Sequence, residues 1–318
     1  MGTEVNGRPD VVAIIGPTAS GKTALSVRLA ESAGGEVING DALQVYRGLD
    51  IGTAKITQEE KRDVPHHLFD ILEPSERFSV ADYQFRVREK IREIRERGRL
   101  PILVGGTGLY VQAVLYDFRF TEEKTDARHR EEMERLLEAE GPGALHAELA
   151  RLDPGAAAGI HPNNVRRVLR ALDIIGVSGH AKAEQEGGGG RDPVYRHLLV
   201  GLDMDREKLY GRINRRLDLM MERGFAEEVE KLIGAGLTDS QSMRAIGYRE
   251  IASALAGECT MEEALELAKR NTRRYAKRQL TYFRNKLDVH WLDAEDGTEK
   301  NLTEILKLLK EFEDGSRT

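Results

Sequence analysis

Five stretches, Val11 to Ile15, Glu36 to Asn39, Leu100 to Val104, His197 to Leu202 and Val289 to Leu292, have the length and apolar content of strands. Amphipathic helical patterns fill most gaps between the early ones, an alternation that predicts a doubly wound, parallel α/β sheet. Between Thr121 and about Gln185 the texture becomes helical, as at Asp126 to Ala139 and Asn163 to Ile175, with breaks at Gly141-Pro142-Gly143 and Asp153-Pro154-Gly155. The pattern therefore predicts a core built from residues 1–120 and 191–318, with an all-helical subdomain inserted over 121–190. The run Gly187 to Gly190 reads as a flexible joint back to the core, since neither a strand nor a Lys-Ser/Thr pair accompanies it. Long helices follow over Asp205 to Ile233 and Thr260 to Lys286.

The first strand runs directly into Gly16-Pro17-Thr18-Ala19-Ser20-Gly21-Lys22-Thr23, a Gly-x4-Gly-Lys-Thr phosphate loop standing between strand and helix. Its glycines let successive amides turn inward, and the next helix adds its positive end. Lys22 can neutralise phosphate charge and the Thr23 hydroxyl can hold Mg2+. The core is thus of the P-loop type, with a polyphosphate ligand whose identity the loop alone leaves open.

Composition narrows the setting. The 318 residues can bury a large core, and a net charge of -6 points to no nucleic-acid partner by itself. Cys259 is the lone cysteine, which excludes an internal disulfide and a multi-cysteine zinc site. The polar segment Met1 to Asp10 lacks the apolar core of a secretion signal, and no apolar run approaches membrane-spanning length, so a cytoplasmic protein is expected.

Asp41 follows the second strand at the edge where open α/β sheets bind ligands, although a turn or helix N-cap needs the same residue. The third strand ends in Val104-Gly105-Gly106-Thr107-Gly108 without an acidic residue, which disfavours a hydrolytic ATPase. Thr107 can offer a hydroxyl to a substrate or serve the turn. Arg212 and Arg216, one helical turn apart, can face a common anion or simply water. Lys269, Arg270, Arg273, Arg274, Lys277, Arg278 and Arg284, interleaved with Tyr275, Tyr282 and Phe283, form a basic stretch with no acid between Arg270 and Lys286. Such a stripe suits an RNA backbone, and Arg166, Arg167 and Arg170 add a second cluster. Asn285-Lys286-Leu287-Asp288 and Asp173-Ile174-Ile175-Gly176 match GTPase signatures by chance, since neither stands where a nucleotide site needs it. His66-His67 lacks a third zinc ligand and reads as core or turn packing.

The phosphate loop, Asp41-Ala42-Leu43-Gln44-Val45-Tyr46 and Asp50-Ile51-Gly52-Thr53-Ala54-Lys55 together resemble the tRNA dimethylallyltransferase family. Val64-Pro65-His66-His67-Leu68, Val104 to Tyr110, Arg244-Ala245-Ile246-Gly247-Tyr248-Arg249 and Lys277-Arg278-Gln279-Leu280-Thr281-Tyr282-Phe283-Arg284 extend the resemblance, in the same order, over nearly the whole chain. Ala42 replaces a serine found in many members. The resemblance implies transfer of a dimethylallyl group from dimethylallyl diphosphate to N6 of adenine at tRNA position 37. It implies Asp41 as base, with Thr107 positioning the amino group or a diphosphate oxygen. Residues 16–23 and Arg212 then hold the leaving diphosphate, with Mg2+ on Thr23. It further implies that Asp41 to Gln44, Thr107, Asn163, Asn164, Val165, Arg166, Arg167, Arg244 to Arg249 and Lys277 to Arg284 line the path of the tRNA anticodon stem-loop, Gln44 reading the adenine. A monomer is expected. The residues alone leave two alternatives open: a P-loop small-molecule or nucleotide kinase, and a non-catalytic RNA-binding ATPase.

Overall fold

Val11, Ala13 and Ile15 are buried in one core while Val12 and Ile14 are buried in another. Burial on both faces is what a central parallel strand requires, and it accounts for a continuous apolar run in place of alternation. The computed structural model describes residues 7–118, 120, 126–178 and 192–315. The strands are β1 (Val11–Ile15), β2 (Gly35–Asn39), β3 (His66–His67), β4 (Leu100–Gly105), β5 (His197–Asp203) and β6 (His290–Asp293), all paired in parallel in the order β3-β2-β4-β1-β5-β6. β3 is the strand that periodicity does not predict. Its two residues pair with Val37 and Ile38, and His67 Nε2 meets Glu36 Oε2 at 2.6 Å.

The helices are α1 (Lys22–Ala33), α2 (Gln58–Lys61), α3 (Val80–Glu96), α4 (Gly108–Leu115), α5 (Ala127–Leu152), α6 (Pro154–Ala158), α7 (Val165–Ser178), α8 (Arg206–Glu222), α9 (Phe225–Gly234), α10 (Tyr248–Leu255), α11 (Met261–Lys286) and α12 (Thr298–Gly315). Capping boxes start α2 at Thr57, α3 at Ser79 and α11 at Thr260, each satisfying backbone donors that a helix start would otherwise leave unpaired. The expected span from Asp205 to Ile233 is two helices, because Gly224 takes φ 94° and ends the run.

Leu25 and Leu29 of α1 pack with Leu302, Ile305 and Leu309 of α12 on one face of the sheet. On the other face lie Val87 and Ile91 of α3, Val111 and Val114 of α4, Ile213 of α8 and Phe283 of α11. Neighbouring strands β1 and β4 therefore send the chain to opposite faces. That reversal opens a crevice at their carboxyl ends, the usual place for a ligand in an open α/β sheet.

The chain divides into two compact units, Met1–Tyr116 with Pro193–Thr318, and Asp117–Asp192. In the second unit α5, α6 and α7 enclose their own apolar core of Met133, Leu145, Leu149, Val168, Leu172 and Ile175. The break expected at Gly141-Pro142-Gly143 is present within α5: Gly141 leaves helical geometry with φ 81° and Pro142 follows, so the span is two helical segments meeting at a kink. Asp153 starts α6 by accepting from Ala156 N at 2.8 Å, with Pro154 in the first turn. The joint expected at Gly187 to Gly190 lies outside the described residues. Among the described residues no helix is long and apolar enough to cross a membrane.

Candidate active site

The segment from Gly16 to Gly21 curls tightly between β1 and α1. Gly16 has φ 147°, and a Cβ there would stand 2.7 Å from Leu202 O. Ala19 and Gly21 also take positive φ, at 65° and 95°. Ser20 Oγ donates to Pro17 O at 2.9 Å and Lys22 Nζ donates to the same carbonyl at 2.6 Å. α1 has no acidic side chain in its first turn, so nothing on the helix itself opposes its positive end. Burial, then Arg216, lower the Lys22 pKa to about 7, with Asp41 pulling the other way. Arg216 is half-buried and burial also lowers its pKa, again against the pull of Asp41. Two desolvated cations beside a helix start make a site that an anion would stabilise. Arg212, one turn earlier on α8, is exposed.

Asp41 is placed by its neighbours on the sheet edge. Asn39 Oδ1 accepts from Asp41 N at 2.9 Å, and Asp41 Oδ1 accepts from Leu43 N at 2.8 Å, an Asx turn that fixes one carboxylate oxygen. Among the described residues the other oxygen has no hydrogen-bond partner. Gly40 and Gly105 bring this turn against the end of β4: Gly40 N donates to Val104 O at 2.7 Å, and a Cβ on Gly105 would stand 2.2 Å from Gly40 O. Thr107 occupies the N-cap position of α4, yet its side chain makes no capping bond there.

The phenols of Tyr83 and Tyr110 lie near enough to Asp41 to feel its charge. Tyr83 and Tyr110 have ring centroids 4.6 Å apart, and Tyr83 donates to Asn39 O at 3.1 Å. Burial first, then Tyr110 and Asp41, push Tyr83 well above its usual range. Burial, with Tyr46 and Asp41 behind it, raises Tyr110 to about 12. These groups stay neutral and present mostly apolar ring surface.

The chain beyond Asp41 is pinned by buried Glu228 of α9. Its carboxylate accepts from Asp50 N, Ile51 N and Gly52 N at 2.9, 2.7 and 3.0 Å, and from Tyr248 Oη at 2.6 Å. Gln44 donates to Thr53 O at 3.1 Å. Ala42 and Leu43 are half-buried on the same turn.

α11 is two-sided. Arg270, Arg274, Lys277 and Arg278 are exposed and make no ion pair among the described residues, whereas Lys269 pairs with Asp218 and Glu266 and Arg284 with Asp203. Phe283 is fully buried, Tyr282 is bonded to Gln112, and Gln279 is buried with Oε1 accepting from Thr18 N at 3.1 Å. Leu280 is half-buried and Thr281 exposed. In the segment 244–249, Arg244 and Arg249 are exposed, Ala245 and Ile246 half-buried, and Gly247 and Tyr248 buried. In the second unit, Asn163, Asn164, Arg166 and Arg167 are exposed around the start of α7, while Val165 is half-buried.

Glu228 is the crevice side chain that carries no signal in the sequence, whereas Arg216 and Tyr275 stand there among the candidate basic and aromatic residues, with the resemblance favouring Arg212 over Arg216. Gln279 was grouped with the RNA-facing residues. A helical-period reading of buried positions would have exposed two of these side chains: Gln279 falls between Ala276 and Phe283, and Glu228 between Phe225 and Leu232.

A parallel sheet with a glycine-rich loop at its reversal point, near a carboxylate and two cations, defines a P-loop-type protein. A family model described as IPP transferase matches residues 44–286. The chain is 56% identical over 288 residues to the tRNA dimethylallyltransferase of Bacillus velezensis, covering 91% of this chain and 92% of that one. It is 54% identical to the enzyme of that name from Bacillus subtilis, with the same coverage. Among solved structures it is similar to the tRNA isopentenylpyrophosphate transferase of Bacillus halodurans, with TM-score 0.73, 51% identity and coverage of 96% of this chain and 97% of that one. It is also similar to a eukaryotic dimethylallyltransferase acting on tRNA, with TM-score 0.77, 31% identity and coverage of 89% and 73%. The chain belongs to the tRNA dimethylallyltransferase family, and the kinase alternative is not favoured.

Proposed function

We propose that this protein transfers a dimethylallyl group from dimethylallyl diphosphate to N6 of adenine at position 37 of a tRNA, releasing diphosphate. The observation that carries the reading is Asp41, held at the sheet edge beside the phosphate loop, with Lys22 and Arg216 as its charged neighbours. The N6 nitrogen attacks the first carbon of the dimethylallyl chain, the carbon–oxygen bond breaks, and its electron pair leaves with the diphosphate. Asp41 takes the proton from N6, through the carboxylate oxygen that the turn does not use. Negative charge growing on the leaving group meets the amides of residues 19–23 in the 16–23 loop, Lys22 and Arg216, with Arg212 on the same helix available to outer oxygens. Thr107 positions the amino group or a diphosphate oxygen. The half-buried ring of Tyr110, backed by the buried ring of Tyr83, offers apolar cover to the prenyl chain and to positive charge on its first carbon.

Mg2+ fits this donor set. The Thr23 side chain is exposed at the start of α1 and makes no hydrogen bond among the described residues, and a magnesium ion takes few protein ligands when phosphate oxygens and water supply the rest. When bound, it neutralises diphosphate charge.

The acceptor tRNA reaches the crevice through its anticodon stem-loop, with the adenine extruded toward Asp41. Arg270, Arg274, Lys277 and Arg278 form an exposed basic face for its backbone, and the arginines of α7 form another. Gln44 and its neighbours from Asp41 onward contact the extruded base. The reading takes the protein to act as a monomer in the cytoplasm. Incubation with magnesium, dimethylallyl diphosphate and unmodified tRNA, followed by mass analysis of digested nucleosides, tests the reading. One dimethylallyl unit gained on adenosine is expected, and adenosine left unchanged would remove it.

A further inference from the structure

α11 turns Ala264, Ala268, Ala276, Gln279 and Phe283 toward the core, and Gln279 is the polar member of that set. A buried carboxamide is tolerated only when its oxygen and nitrogen both find partners. Oε1 accepts from Thr18 N at 3.1 Å, and Nε2 donates to Gly106 O at 2.8 Å. One side chain thus joins the phosphate loop to the turn that carries Thr107. The backbone leaves room for it: a Cβ on Gly106 would stand 2.3 Å from Gln279 Nε2.

We propose that Gln279 is a positioning residue for the diphosphate site, setting the phosphate loop at Thr18 against the Gly106–Thr107 turn and tying both to α11. The proposal rests on the transfer reading above and deepens it. It assigns Gln279 to the donor half of the reaction, although its neighbours Lys277 and Arg278 face outward. With Thr18 held by the carboxamide, the loop keeps the curl that brings its other amides onto a diphosphate. The same carboxamide holds the backbone beside Thr107, so loop and hydroxyl keep one relative placement.

The test uses the full chain and its Gln279→Met and Gln279→Glu variants, each checked for thermal unfolding. Inorganic diphosphate binding with magnesium and tRNA binding are measured by calorimetry, alongside turnover. Gln279→Met keeps the side-chain volume and removes both bonds; diphosphate binding should weaken about tenfold while tRNA affinity moves less than about twofold. Gln279→Glu should match that loss at pH 8 and recover toward the wild-type value at pH 5, each compared with wild type at the same pH. A protonated carboxyl restores one donor and one acceptor, a response that lost packing would not give. Unchanged diphosphate affinity in Gln279→Met, loss confined to tRNA, or a pH-independent deficit in Gln279→Glu would overturn the assignment. A wild-type protein that binds diphosphate yet transfers nothing to tRNA would remove the proposed function and leave this role for Gln279 standing.

Discussion

Arg216 bears on Lys22: burial first, and this guanidinium second, bring the lysine's pKa down to about 7. The phosphate loop therefore holds its cation at a cost to the fold, and the sign of that cost is testable. A lysine depressed in the folded protein destabilises it fully below about pH 7, and the penalty vanishes as pH rises through the unfolded value near 10.5. Lys22→Met should raise stability at pH 7 by about 1–3 kcal/mol, with the advantage shrinking toward pH 10, while transfer is lost. Thermal unfolding of both proteins across that range checks this. A gain that grows with pH would contradict the assignment.

Asp41→Asn retains an oxygen for Leu43 N, so the turn should survive without a proton acceptor. Turnover should fall by about a hundredfold to ten-thousandfold, with tRNA affinity within about threefold. Single-turnover kinetics beside filter binding separates the two, and retained turnover would remove Asp41 as the base.

Gly105→Ala places a methyl group 2.2 Å from Gly40 O, and the clash is with backbone. A loss of at least about 2 kcal/mol is expected, together with reduced transfer, since Asp41 and Thr107 both depend on this contact. Gly211→Ala, on α8 with nothing within 4 Å of the added methyl, should instead stabilise by up to about 1 kcal/mol. Denaturant titration of both variants decides it.

The sheet was legible where burial is two-sided, as in Val11–Ile15, and the phosphate loop was legible because its glycines have steric work to do. β3 was not, since two half-buried histidines carry no periodicity; pairing with β2 and the Glu36 contact create that strand. The choice between Arg212 and Arg216 was also out of reach. Spacing puts both on one side of α8, and only tertiary packing decides which meets Lys22 and Asp41. Gln279 reads as RNA-facing because it sits in a basic segment, and Glu228 gives no signal in the sequence; each turns inward to satisfy backbone amides of a neighbouring loop.

The exposed face of α11 gives a salt-dependent prediction. Lys277→Ala and Arg278→Ala should each weaken tRNA binding across sequences and lower the slope of log affinity against log salt by about 1 for every phosphate contact removed. Lys269→Ala, whose ammonium is already paired with Asp218 and Glu266, should leave the slope unchanged. Equal slopes in all three variants would argue against α11 as the RNA face.

The central claim is that the phosphate loop holds a leaving diphosphate while an adenine of tRNA takes the prenyl group. Its most direct test is to measure diphosphate released from dimethylallyl diphosphate and prenylated adenosine formed in the same reaction, with and without tRNA. Equal amounts of the two products, both dependent on tRNA, are predicted. Diphosphate release without tRNA, or phosphate release from ATP with no modified adenosine, would contradict the account.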